Sequence, residues 1–218
     1  MKNVKSFRIS SSYATAPIMC LLIFLVLIVL SCPCSMGQDN SLAQFDSLKQ
    51  PKISNKKDQK MLVVEAKGDP EVVGGKAFSL LFRLYFSSPE TPKNSLQFYP
   101  CARWPESLDT PQSEWIGLYA LPVPENMIQL PHYDTAEGLK ASLVAWEYGE
   151  VAEILHVGPY DKEEPTVKRL REYINDQGYE VVGGHEEEYI VGPTMYGKGD
   201  PEKYETIIRY RIRKPDKK

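Results

Sequence analysis

Val151-Ala152-Glu153-Ile154-Leu155-His156-Val157, followed by Gly158-Pro159-Tyr160, reads as a strand that runs into a turn. The run is short, apolar and closed by a Gly-Pro pair, which interrupts regular structure. Downstream the period changes. Val167, Leu170 and Ile174 fall at helical spacing, with Lys168, Arg169 and Arg171 on the other faces, so the spacing predicts a helix over 165–175. Pro165 suits its first turn, where no amide donor is missed, and Gly178 suits its exit. Strands are predicted at 179–182, 186–191 and 205–212. Upstream the same order occurs. Met61-Leu62-Val63-Val64-Glu65-Ala66 is a strand, Gly68-Asp69-Pro70 a turn, and Ala77, Leu80, Leu81 and Leu84 mark a helix over 74–86. Strands follow at 115–123 and 139–146. Strand, helix and two strands written twice is the pattern of a duplicated α+β domain. Lobe one covers 61–146 and lobe two 147–214. The Pro-rich stretch 89–111 is an insertion in the first, and long loops of this kind border a site or move.

Residues 1–37 read as a leader. Lys2, Lys5 and Arg8 precede the apolar run 18–30 (IMCLLIFLVLIVL). That run is shorter than the roughly 20 residues a spanning helix needs and fits a signal-peptide core. Val29-Leu30-Ser31-Cys32 resembles a lipobox, in which Cys32 would be acylated, and Ser35-Met36-Gly37 is an ordinary cleavage site. An uncleaved anchor is the third option. All three predict export, to a periplasm or cell envelope. Residues 38–60 are polar, without apolar period, and read as a flexible tether. Without the three leader cations the formal charge moves from −3 to about −6. An acidic chain with scattered cations is a poor partner for nucleic acid. Of the four cysteines only Cys101 lies outside the leader region, so no internal disulfide is expected.

Four motifs carry a resemblance. Ile154-Leu155-His156-Val157-Gly158-Pro159-Tyr160 looks like the signature strand and turn of the GyrI-like (AraC-type effector-binding) family. Asn175-Asp176-Gln177-Gly178-Tyr179-Glu180 resembles its helix exit, Glu187-Glu188-Tyr189-Ile190-Val191-Gly192-Pro193 its Glu-x-Tyr strand, and Tyr204-Glu205-Thr206-Ile207-Ile208-Arg209-Tyr210 its closing strand. The match spans lobe two, and lobe one follows in element order alone. The resemblance implies an SHS2-type architecture: two lobes with pseudo-two-fold symmetry, an antiparallel sheet, helices on one face and an aromatic, acidic cleft for a small molecule. The haem-binding SOUL proteins are a more distant comparison.

In a strand alternate residues share a side, so His185, Glu187 and Tyr189 face one way, and Glu186, Glu188 and Ile190 the other. The resemblance points the Glu-x-Tyr pair into the cleft, which selects Glu187 and Tyr189. Trp115, Tyr119, Trp146 and Tyr148 lie where lobe one should meet it, and Trp104 in the insertion is placed to cap a ligand. A carboxylate among aromatics favours cationic or amphipathic ligands, each ring adding about 0.5–2 kcal/mol of cation–π attraction. Without the resemblance the three glutamates read as a solvated edge and the aromatics as core. His156 reads as structural. His132, His156 and His185 lack metal-ligand spacing, so neither a metal nor another cofactor is expected. Gly74-Gly75-Lys76 only imitates a phosphate loop, and no nucleophile elbow or dinucleotide fingerprint occurs. The expectation is therefore a stand-alone binding protein without catalytic residues. Its alternatives are a hydrolase of strained small molecules with Glu187 as general base, a haem binder and a protein-interaction module.

Overall fold

A computed structural model describes residues 42–93, 99–105, 110–134, 138–193 and 199–216. The leader, with Cys32, lies outside the described residues, as do 94–98 and 106–109 of the insertion. Among the described residues no helix is long and apolar enough to cross a membrane.

The elements run β1 (Lys52–Lys56), β2 (Gln59–Lys67), α1 (Pro70–Ser87), β3 (Cys101–Trp104), β4 (Ile116–Pro122), β5 (Leu139–Trp146), β6 (Gly149–Val157), α2 (Glu164–Asp176), β7 (Glu180–Val181), β8 (His185–Val191) and β9 (Glu205–Arg213). The helix starts have local causes. Asp69 accepts a hydrogen bond from the Glu71 amide at 2.9 Å and Pro70 opens the first turn, which starts α1 four residues before the expected residue 74. Pro165 opens α2, and Gly178, at φ +69°, ends it in the left-handed conformation that a side chain disfavours.

The sheet order is β1-β6-β9-β8-β3-β4-β2-β5, with β7 on β9, and every pairing is antiparallel. From the centre outward each side reads second, third, first strand of a β-α-β-β unit: β3, β4, β2 and β8, β9, β6. The fold is therefore the expected α+β duplication. Opposed residues share a face, so the register places Val64, Tyr119, Ala102, Glu187, Ile208 and Ile154 on one side. Both helices cover that side. Leu80, Leu81 and Leu84 of α1 pack on Leu62, Val64 and Leu121, and Val167, Leu170 and Ile174 of α2 pack on Ile154, Ile208 and Tyr210. Since α1 sits over β2 and β4, and α2 over β6 and β7, the central strip of β3 and β8 lies between them.

Two sequence expectations are corrected. The second strand of lobe one is β3, inside the stretch taken as an insertion, and β5 is instead the edge strand beyond β2. At four residues between prolines, β3 is too short to show a period. The stretch 38–60, expected as a tether, is folded from Leu42 on. A 3-10 turn, Leu42–Lys49, places Phe45 and Leu48 on Leu155 and Ile207 on the sheet's other face, and β1 pairs the free edge of β6. Edge pairing uses backbone groups, so Lys52–Lys56 needs no apolar alternation to join it.

Gly184 enters β8 where an added Cβ would lie 2.3 Å from the carbonyl oxygen of Trp104. Gly184→Ala should force β3 and β8 apart and lower stability by about 1–3 kcal/mol, each kcal/mol being about 2–4 °C in Tm. Gly75→Ala, in open space on α1, should raise stability by nearly 1 kcal/mol. Calorimetry of the pair checks this, and equal Tm values would contradict the close approach.

Candidate functional site

The alternation of β8 divides its charges between two environments. On the face away from the helices, Glu186 meets two guanidinium groups: that of Arg209 and that of Arg103, whose Nε is 3.1 Å away. Arg209, buried, also holds Glu153 at 2.6 Å and Glu188 at 2.7 Å. Burial alone would raise the Glu186 carboxyl, but Arg209 and Arg103 outweigh it and hold the group below its ordinary range. This face is a satisfied ionic network.

Toward the helices the situation differs. His185 Nε2 lies 2.9 Å from Glu187 Oε1 and 3.6 Å from Glu163 Oε1, while its Nδ1 is 2.9 Å from the Tyr210 hydroxyl. Glu163 arrives from the N-cap position of α2. The preceding turn is fixed by His156, whose ring nitrogens lie 3.1 Å from Thr166 Oγ1 and 3.1 Å from the Pro159 carbonyl. His156 thus ties the end of β6 to the turn and to the first turn of α2.

Aromatic rings wall the cluster. Tyr160 and Phe78 meet the Tyr189 ring edge-to-face at 5.6 and 5.7 Å between centroids. Trp104 lies 5.8 Å from His185, 6.1 Å from Trp115 and 6.4 Å from Tyr119. Tyr119 is seated over Gly117, where a Cβ would come within 2.7 Å of its ring, and Gly74 of α1 meets its hydroxyl end. Of the Gly74-Gly75 pair, only Gly74 faces this ring. Three buried polar atoms here have no hydrogen-bond partner among the described residues: Trp104 Nε1, the Tyr119 hydroxyl and Glu163 Oε2. Orphaned groups of this kind mark a place for a ligand or water.

Burial, and then the charge of Glu187, pushes the Glu163 carboxyl up to about 9. The same two causes, in that order, push the Tyr119 hydroxyl up to about 12 and raise Tyr160 and Tyr189 further. One carboxyl of the pair therefore keeps its proton at neutral pH. Glu163, His185 and Glu187 also present three donor atoms within 4.8 Å of one another, a set able to hold a metal ion.

Of the residues chosen from sequence, Glu187, Tyr189, Tyr119 and Trp115 are brought together. Trp146 and Tyr148 are not. The β2–β5 register pairs Trp146 with Gln59 and turns it to the ionic face, where Arg103 stacks 3.9 Å above its ring. The Tyr148 hydroxyl donates to Glu186 at 3.0 Å. Sequence reasoning gave Glu163, Tyr160, Phe78 and Tyr210 no role. The Glu163 signal was its position three residues after the Gly-Pro-Tyr turn, which aims the start of α2 at β8.

No protein-family model matches the chain, and no curated protein matches it. Solved structures do. An uncharacterized conserved protein from Listeria innocua is 22% identical with a TM-score of 0.58, over 76% of this chain and 93% of that one. A hydrolase from Listeria innocua is 20% identical with a TM-score of 0.54, over 76% and 92%. The C-terminal domain of EcmrR is 14% identical with a TM-score of 0.56, over 76% and 98%. The likeness is one of fold. It covers most of each chain and agrees with the α+β fold described above.

Glu163 titrates in the fold at about 9, against its ordinary 4.5. The folded state keeps a proton that the unfolded chain releases between these values. The stabilising contribution is therefore complete below 4.5 and is lost as pH rises through about 9. Glu163→Gln stays neutral at every pH, so its Tm relative to the native protein should rise steadily between about pH 5 and pH 9 in metal-free buffer. A pH-independent difference would mean that Glu163 is not the buried, proton-holding group.

Proposed function

We propose that this chain is a small-molecule-binding protein of the GyrI-like kind. Its ligand lies on the β3–β8 strip between α1 and α2, with a cationic or hydrogen-bond-donating end at Glu187. The observation that carries the reading is the combination of buried Glu187 and His185, joined by half-buried Glu163, with orphaned Trp104 Nε1 and Tyr119 hydroxyl groups in the same aromatic wall. A solvated edge of glutamates would not bury Glu187, and the unpaired polar atoms beside it leave partners for a ligand. Half-buried Tyr160, Tyr189 and Trp115 supply an approach from solvent. The proposal includes export by the 1–37 leader, through lipid on Cys32 or cleavage after Gly37. Recovery of the intact leader in a cytoplasmic fraction would refute that part.

A second reading has one specific observation behind it. Glu163 holds its proton to about 9 beside Glu187, and an acid next to a base is the arrangement that hydrolysis of an electrophile uses. There Glu187 would activate water and Glu163 protonate the leaving atom. A solved structure of this fold is called a hydrolase, which makes the assay worth running.

Tetraphenylphosphonium, an aromatic cation, should quench tryptophan fluorescence through Trp104 and Trp115. Glu187→Gln should weaken that binding by about tenfold or more, equivalent to about 1.4 kcal/mol. Equal affinity in the variant would remove Glu187 from the site. Turnover of a strained electrophile that is lost in both Glu187→Gln and Glu163→Gln would decide for the hydrolase.

A further inference from the structure

We propose that Glu163, His185 and Glu187 form a site for a divalent first-row transition ion. Spacing is the first argument. Tetrahedral zinc with bonds of about 2.0–2.1 Å sets its ligand atoms roughly 3.3 Å apart. His185 Nε2 stands 2.9 Å from Glu187 Oε1 and 3.6 Å from Glu163 Oε1, on either side of that value, and all three donors fall within 4.8 Å.

The surroundings supply what such a site requires beyond its ligands. A ligating histidine is fixed by a hydrogen bond at its other nitrogen, and Nδ1 of His185 has the Tyr210 hydroxyl at 2.9 Å. Tyr189 is hydrogen-bonded to Glu187, which orients the carboxylate in the same way. His185 and Glu187 are buried, so neither gains from leaving the cluster for water, while the Glu163 side chain, 22% exposed, gives an ion a way in. An independent observation points to a ligand at the same place. Trp104 Nε1 and the Tyr119 hydroxyl, on side chains 5% and 2% exposed, lack partners, and Trp104 lies 5.8 Å from the His185 ring. They are unpaired donors of the wall beside His185, and three protein ligands leave a fourth position open to an outside group.

The donor set also selects the ion. One imidazole with two carboxylates suits zinc and its neighbours, whereas calcium and magnesium prefer oxygen throughout. Sequence spacing hides the set because Glu163 lies on a different element from His185 and Glu187. The inference concerns the same region as the proposed function, and the ion and an organic cation are competing occupants of Glu187.

The test uses the full chain, stripped with chelator and titrated with Co2+. A single equivalent should saturate it with visible d–d bands of a low-symmetry, four-coordinate ion, and Zn2+ should displace them. Glu163→Gln and His185→Gln should each weaken binding by more than about tenfold, the loss already typical of an outer-shell change. His132→Gln, on the surface, should leave it unchanged. Absence of d–d bands in the native protein overturns the proposal whatever the variants do. So does unchanged Co2+ affinity in Glu163→Gln and His185→Gln variants that keep the native circular dichroism. Tetraphenylphosphonium quenching in chelator is read separately. If quenching persists without Co2+ binding, only the ion site falls. If Co2+ binds without quenching, only the organic-ligand reading falls.

Discussion

Cys101–Trp104 is short, yet both of its edges are used, one by β4 and the other by β8. These four residues are the seam at which the two β-α-β-β units become one sheet. The pairing sets Ala102 opposite Glu187, Arg103 opposite Glu186 and Trp104 opposite His185. Each pairing has a consequence on its own face. Ala102 offers only a methyl group across from Glu187, Arg103 neutralises Glu186, and Trp104 closes one end of the His185 cluster. A slip of β3 by one residue would turn its side chains over, setting Arg103 among the aromatics and leaving Glu186 without it.

The run Glu186-Glu187-Glu188 shows how strand geometry assigns chemistry. The outer two carboxylates lie on the face where Arg103 and Arg209 wait, and their cost of burial is offset by direct ion pairs. The middle one lies on the helix face with a histidine, a second carboxyl and aromatic rings instead. Among the described residues no arginine pairs with it, which is an unfavourable arrangement for stability alone. Sites that bind or react carry such local costs, which the rest of the fold must offset.

Much of this was legible beforehand. Periods of 3.6 and 2 placed both helices and all the long strands, and the alternation along β8 assigned Glu187 and Tyr189 to one side before any coordinates. What stayed hidden had physical causes. β3 is four residues between prolines, so its period never develops. β1 joins by backbone hydrogen bonds, for which Lys52–Lys56 needs no apolar pattern. Trp146 and Tyr148 were assigned by lobe position, but the side a residue takes depends on register, which single-strand patterns do not fix. Glu163 is separated from β8 by the whole of α2, and only the return of the chain brings the three donors together. Export was read from residues 1–37, which lie outside the described structure.

The central claim is that the β3–β8 strip between the helices is a ligand site with Glu187 at its base. A crystal structure of the protein with a bound aromatic cation tests it most directly. The account predicts density against Tyr189, Trp115 and Tyr119, with the cationic centre in ion-pair reach of Glu187. Density instead on the opposite face, beside Arg103 and Trp146, or a helix-face strip that stays closed under saturating ligand, would contradict it.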